Sequence, residues 1–274
     1  MPITLSELAS RISSGCSLAV ASDFNGFFSG VAMAVTRELV RQRVTGLRLI
    51  AVPSTGLQAD LLIGAGCVSE LECGAVIHAE HGATPRFLKG FHDGTLTVRE
   101  STCPAIFHGL TAAEKGAPFM AVRGVLGSQL TELRPDWRVI ANPFDESEPL
   151  VVVPPIRPDV ALFHAPMADT NGNVWIGRRR EFALMAHAAR TTLVTVERIH
   201  QGDLMAHREL GPGTLSAVYI DAIACCEKGA WPFGMGSDYQ EDTAHIAEYL
   251  ALANSDEGFE RYLKGYVHGR RDAN

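Results

Sequence analysis

The chain has 274 residues, 46% of them hydrophobic and 20% charged, and its 31 acidic against 24 basic residues leave a net charge of −7. Such a chain is long enough for a sizeable core, and its negative balance offers no field to draw a polyanion, so nucleic acid is excluded as an expected partner. No stretch approaches the roughly 20 uninterrupted apolar residues of a membrane span, and residues 1–11 lack a basic region leading into an apolar core, so no membrane partner and a cytoplasmic location are expected.

In chain order, Ser6, Glu7 and Leu8 begin a short amphipathic helix, SLAVAS (17–22) reads as a buried strand, DFNGFFSG as a loop, and VAMAVTRELVRQRV (31–44) as a helix with an apolar period near 3.6. LRLIAVPS (47–54) is the next strand, which completes a βαβ unit. The rhythm continues through ADLLIGAGCV, ELECGAVIHAE, TLTVRE, TAAEKGAPFMAV, PLVVVPPIRPDVALFHAP, RTTLVTVERI and LSAVYIDAIACC. Short Val-, Ile- and Leu-rich runs that are apolar on both faces and alternate with helices predict an α/β fold: an open, mostly parallel sheet with helices on both faces. The tail carries apolar residues at helical spacing (Ile246, Tyr249 and Leu250, then Phe259, Tyr262 and Leu263), which predicts two terminal helices packed on the body. With no internal repeat and no low-complexity linker, residues 1–274 read as a single domain.

In open α/β sheets ligands bind beyond the carboxyl ends of the strands. The loop after the first strand places Gly26 and Gly30 just before a helix, where free N–H groups favour anions, but it matches neither GxGxxG nor the P-loop pattern, and a ligand-free glycine turn explains it equally well. Ser54 and Thr55 end the next strand and either donate to a carboxylate or cap the turn. Arg123, Gly124, Gly127 and Ser128 share the loop after APFMAV, and an arginine among glycines can grip a carboxylate or phosphate with two parallel hydrogen bonds. Glu100 closes the alternating run TLTVRE beside Arg99. An acid at a strand end is either a site group or, here, half of a structural pair with Arg99.

Other chemistries are not signalled. The six cysteines (Cys16, Cys67, Cys73, Cys103, Cys225, Cys226) form no CxxC and no short Cys/His pair, so they read as free core thiols and no metal is expected. The histidines fit no HExxH pattern, with His81 in HAEHG the most suggestive of them, and no GxSxG elbow occurs. ADTNGNVWIG has the composition of a tight hairpin turn and lacks the carboxylates of an EF-hand. Glu70, Glu72, Glu80 and Glu114 read as flanking or surface charges.

Six segments in this order resemble the alpha subunit of a family I CoA-transferase, most of all the glutaconate CoA-transferase group. They are DFNGFFSGVAMAVTREL, ADLLIGAGCVSELE, HGATPRFLKGFHDGTLTVRE, GAPFMAVRGVLGSQL, ADTNGNVWIG, and the ending from GAWPFGMGSDYQED to EGFERYLKGYVHG. The resemblance implies a Rossmann-like fold shared with ribose-phosphate isomerase relatives and assembly with a beta subunit, commonly as α2β2. It also implies acyl-CoA and carboxylate substrates, with coenzyme A as substrate and no other cofactor. The family nucleophile is a glutamate of the beta subunit in an S-E-N-G context, which this chain does not contain. On that footing Gly26, Gly30 and Ser54 are expected to line the acyl site, Arg123, Gly127 and Ser128 to lie nearby, and Glu100 to orient substrate. A related branch in steroid-ring degradation hydrolyses a ring of a CoA thioester with an alpha-subunit glutamate at the position Glu100 matches, which would make Glu100 a general base. A binding or regulatory relative without activity is the third expectation.

Overall fold

In the computed structural model, which describes residues 2–23, 28–78, 82 and 84–269, strand β1 (Ser17–Ala21) is buried along its whole length and stands at the middle of a parallel sheet. On one side of it run β2 (Leu47–Val52), β4 (Val68–Cys73) and β6 (Thr97–Glu100). On the other run β10 (Val160–Asp169), β12 (Thr191–His200) and β14 (Ala222–Cys225), all parallel. The long strand β10 outruns β1, and its second half takes up a short antiparallel ribbon of β11 (Val174–Trp175) and β13 (Thr214–Leu215). All ten β10 residues are buried, as continuous apolar runs covered on both faces should be. The α/β expectation therefore holds.

The helices fall into two groups. One is α1 (Leu5–Ala9), α2 (Met33–Arg41), α3 (Leu57–Gly64) and α4 (Pro85–His92), packed side by side in that order; the other is α5 (Cys103–Lys115) against α7 (Arg180–Ala188). Thr4 starts α1 with a capping box through Glu7, and Thr102 caps α5, which stops at Gly116 in the left-handed region (φ 65°). The expected helix over 31–44 forms over Met33–Arg41.

The two terminal helices form as read. They are α8 (Thr243–Ala253) and α9 (Asp256–Tyr262), the latter running on as a π-helical stretch, Leu263–His268. Tyr249 and Tyr262 are fully buried with ring centroids 4.8 Å apart, each contributing on the order of 1.5–3 kcal/mol of apolar burial. The Tyr249 hydroxyl donates to Asp60 Oδ2 at 2.7 Å, which pins α8 to α3.

Two features were not legible as such. The apolar run ending in VVV is not part of the main sheet: Pro154 and Pro155 break it from β10, and β9 (Asp145–Val153) joins β7 (Met120–Val122) and β8 (Arg138–Asn142) in a separate antiparallel sheet. Ala105, Val122, Val125, Trp137, Val151 and Val153 give this sheet a small core of its own, with the short helix α6 (Leu130–Leu133) beside it. Two short strands, β3 (Ser54–Thr55) and β5 (Ala75–Val76), also pair in parallel beyond the ends of β2 and β4.

Candidate functional site

The strand order reverses at β1: chain order proceeds outward through β2, β4 and β6 on one side and through β10, β12 and β14 on the other. The crevice beyond the carboxyl ends of β1 and β2 is therefore where this topology leaves room for a ligand. Ser22 and Asp23 follow β1, and Ser54, Thr55 and Gly56 follow β2. The hydroxyls of Ser22 and Ser54 are 3.1 Å apart. Thr55 is 1% exposed, and its hydroxyl has no hydrogen-bond partner among the described residues.

Asp23 is the most perturbed group here. Its Oδ2 accepts the Leu57 N–H at 2.9 Å, so it caps the first turn of α3 from outside the helix. A side chain at Gly56 is incompatible with that contact, because a Cβ would lie 2.5 Å from Asp23 Oδ2 and 2.5 Å from the Ile77 carbonyl. Asp23 Oδ1 is shut off from solvent with no hydrogen-bond partner among the described residues. Burial, reinforced by the charge of Glu241, pushes the carboxyl up to about 7 against the pull of the Leu57 and Gly56 N–H groups. Asp23 is thus a carboxyl that exchanges its proton near neutrality, the range useful to an acid or base at a site.

Of the residues singled out in the sequence, Ser54 lies in this crevice, whereas Gly26 lies outside the described residues, as do His81 and Glu80. Gly30 is at the crevice wall for a packing reason: a Cβ there would overlap Phe182 Cζ, and its carbonyl accepts from His164 N at 2.8 Å. Arg179 braces the same wall, its guanidinium over the Phe182 ring at 4.7 Å and hydrogen-bonded to the carbonyls of Ser22 and Phe28.

Glu100 stands at the carboxyl end of β6, at the edge of the sheet. Strand alternation separates it from Arg99. Arg99 is in register with Glu72 and pairs with Asp136 at 2.9 Å, with Glu72 at 3.8 Å and with Glu70 at 4.0 Å, whereas Glu100 is in register with Cys73 on the opposite face. The alternative of a structural Arg99–Glu100 pair does not hold, because neighbours along a strand point apart. Glu100 is exposed and its carboxylate makes no ion pair among the described residues; only its backbone carbonyl is engaged, by Arg134 Nη1 at 2.9 Å. Burial and the charges of Glu72 and Glu100 push the Cys73 thiol up to about 12, which leaves it unreactive near neutral pH.

Arg123, Gly127 and Ser128 follow β7 and so belong to the small antiparallel sheet, not to the loops after the parallel strands. The Arg123 side chain is 78% exposed and pairs with Glu148 at 2.9 Å. Gly127 takes φ 76°, and the Ser128 hydroxyl donates to the Val125 carbonyl at 2.6 Å. These contacts shape the turn itself. The buried cation that sequence reading missed is Arg134, 4% exposed, which stacks on Trp137 and bonds Glu72 at 2.8 Å and Asp136 at 3.0 Å, clamping the small sheet to the main one. Glu72 is therefore a clamp residue and not a surface charge.

The turn over 169–173 is structural as read: Asp169 accepts from the N–H groups of Asn171, Asn173 and Leu204, each at 2.9 Å. No cluster of His, Cys, Asp or Glu suited to a metal occurs among the described residues. Asp23 itself carried a signal that sequence reading passed over, since it is an acid directly after a buried strand, the same cue that drew attention to Glu100.

A doubly wound parallel sheet with two hydroxyls and a buried carboxyl beyond the ends of its central strands defines an α/β protein whose topology places a ligand crevice at the switch point. The Coenzyme A transferase family profile matches residues 3–224, and the chain belongs to that family. It is 30% identical to the A-type subunit of the 3-oxoadipate CoA-transferase of Pseudomonas knackmussii, over 98% of this chain and 94% of that one. It is 28% identical to the cholesterol ring-cleaving hydrolase IpdA subunit of Rhodococcus jostii, over 88% of this chain and 83% of that one. An Archaeoglobus fulgidus protein is 33% identical over 88% of this chain, which spans about half (54%) of that protein's length. The crystal structure of glutaconate coenzyme A-transferase from Acidaminococcus fermentans superposes with a TM-score of 0.86 at 26% identity, covering 98% of this chain and 89% of that one.

Proposed function

We propose that this chain is the A-type subunit of a cytoplasmic CoA-transferase that moves coenzyme A between an acyl-CoA and a carboxylic acid, in an α2β2 assembly whose beta subunit carries the attacking glutamate. The observation that supports it is the nearly end-to-end agreement with the A-type subunit of the Pseudomonas CoA-transferase. In the reaction, a glutamate oxygen attacks the thioester carbon and expels the CoA thiolate, leaving an acyl–glutamyl anhydride. The thiolate then attacks the glutamyl carbonyl, releasing the acyl group as its acid and leaving an enzyme–CoA thioester, which an incoming carboxylate resolves by the reverse steps. Acyl-group energy is conserved only if water is kept out, which a subunit interface over the crevice would do. Within this reading Gly30 and Ser54 line the acyl site, a role that the resemblance also implies for Gly26; Arg123, Gly127 and Ser128 contribute from the small sheet, and Glu100 orients substrate from the edge.

A second reading, a CoA-ester ring-opening hydrolase with Glu100 as base, is favoured by the similarity to the Rhodococcus hydrolase subunit and by the exposed Glu100 carboxylate, which has no ion pair among the described residues. The two are separated by co-purifying the chain with the protein encoded beside it, adding acyl-CoA, trapping with borohydride or hydroxylamine, and weighing both chains. A modified glutamate on the partner supports transfer. Hydrolysed product with no adduct on either chain, lost in Glu100→Gln, supports hydrolysis and overturns transfer.

A further inference from the structure

The crevice contains a polar group whose hydrogen bonding the fold leaves incomplete. Asp23 Oδ2 is anchored on the first turn of α3, yet Oδ1, enclosed and facing no donor among the described residues, is unpaired. Leaving such an oxygen unmet costs on the order of 1–3 kcal/mol. In the adjoining turn Thr55, 1% exposed, also has a hydroxyl without a partner among those residues. Two buried unpaired oxygens at the switch point of a parallel sheet, next to a glycine that any side chain would drive into the carboxyl, mark a place prepared for a polar ligand group.

The charges around Asp23 set the condition on which a substrate carboxylate can be held there. Glu241 adds negative charge to the carboxyl's surroundings. Arg179, on the wall behind Ser22, is committed to Glu181 and to the Ser22 and Phe28 carbonyls. From α3 come only backbone N–H groups, and His78 follows Ile77 on the turn that faces Gly56. Among the described residues no arginine or lysine is given over to neutralising an incoming anion there. A ligand carboxylate can nonetheless be held, provided a proton lies between it and Asp23, since an O–H donating to a carboxylate makes a short, strong bond and two bare carboxylates would repel.

We propose that Asp23 holds the carboxyl end of the substrate through a proton shared between the two carboxyl groups, with the Thr55 hydroxyl as a second hydrogen-bond partner. This rests on the reading of the crevice as the acid and acyl site of a CoA-transferase, and it makes Asp23 a binding and specificity residue that requires a substrate carboxylate to arrive with a proton. Because the free carboxyl exchanges its proton near pH 7, occupancy by an anion takes up close to one proton per site at about pH 8 and far less at pH 5.5.

The test is isothermal titration of the co-purified complex with glutarate at pH 5.5 and 8, in pairs of buffers with different ionisation heats, so that proton uptake is read directly. Wild type is expected to take up about one proton at pH 8. Asp23→Asn, which keeps the shape and a permanent donor, is expected to bind at both pH values with no uptake. Thr55→Val is expected to bind roughly 5–10-fold more weakly with uptake unchanged, the loss of one hydrogen bond. Glutarate binding without uptake in wild type, or with the same uptake in Asp23→Asn, overturns the inference and leaves the transferase reading standing. No binding of glutarate, together with no CoA exchange between acyl-CoA and any acid of a panel, overturns that reading and this inference with it.

Discussion

Gly30 offers a direct test of whether a glycine before a helix serves a ligand or a neighbour. A methyl group at this position would overlap Phe182 Cζ and lie 2.7 Å from Cε1. Phe182 has nowhere to retreat: it is fully buried, stacked on Phe163 at a centroid distance of 4.7 Å and covered by the Arg179 guanidinium. Gly30→Ala therefore overpacks the core at a cost of roughly 1–3 kcal/mol. For a chain of this size that lowers Tm by about 2–4 °C per kcal/mol. Phe182→Leu alone loses packing, but in the Gly30→Ala background it removes the clash, so the two changes should couple by at least about 1 kcal/mol in a double-mutant cycle. The assay is denaturant unfolding of the four proteins followed by tryptophan fluorescence. A Gly30→Ala protein within about 0.5 kcal/mol of the parent, or strictly additive changes, would refute the packing argument and return Gly30 to the role of an anion-cradle glycine.

Burial, opposed by the Tyr249 hydroxyl and by N–H groups of α4, raises Asp60 from 3.8 to about 6. A carboxyl raised on folding lends stability that is fully present below pH 3.8 and is lost as pH climbs through 6, here roughly 3 kcal/mol. Tyr249→Phe removes a donor to the ionised form, so its destabilisation should be greater at pH 8 than at pH 4.5 in urea melts; equal losses would count against the hydrogen bond. Arg134→Met leaves Glu72 and Asp136 without their buried partner and should cost roughly 3–5 kcal/mol, whereas Arg123→Ala, at an exposed pair, should change the unfolding free energy by less than about 0.5 kcal/mol. A reversed ranking would mean that the clamp is misplaced. Gly56→Ala should drive the Asp23 carboxyl off the α3 N-terminus and lower Tm by several degrees, a shift that Asp23→Gly should partly rescue if the clash with the carboxyl is what matters; no rescue would put the cost on the Ile77 carbonyl instead.

The parallel sheet was legible because its central strands, β1, β2 and β10, are apolar on both faces and its helices carry a 3.6 period, so local pattern and tertiary environment agree there. The small sheet was not, because β9 is as Val-rich as a core strand and only its pairing with β7 and β8 separates it from β10. Ser54 was singled out from its place at a strand end, and the structure sets it in the central crevice. Arg123 and Ser128 were singled out by composition, which cannot tell a loop on the parallel sheet from one on a neighbouring antiparallel sheet. The relation of Arg99 to Glu100 needed only strand alternation, but the partners of Arg99 come from β4 and from the segment before β8, contacts between distant parts of the chain that no spacing encodes. Asp23 escaped notice because its raised pKa comes from enclosure and from Glu241, far away in the chain.

Asp23 and Glu100 stand at separate strand ends of the sheet. From β1 to β6 the sheet crosses β2 and β4, and three strand spacings of about 4.8 Å put the two strand ends roughly 14 Å apart. A general base must stand within about 3 Å of the proton it takes, so a carboxyl at either strand end serves a reacting atom held at that end. A short acid held at Asp23 lies in the central crevice, far from Glu100, which suits transfer with a nucleophile brought by a partner. Glu100 can serve as a base only for a substrate long enough to run along the carboxyl edge of β2, β4 and β6, such as a bulky ring system. On the hydrolase reading Glu100→Gln should abolish turnover of a long, ring-bearing CoA ester, whereas on the transferase reading, where Glu100 only orients substrate, it should slow CoA exchange on a short acyl-CoA without abolishing it.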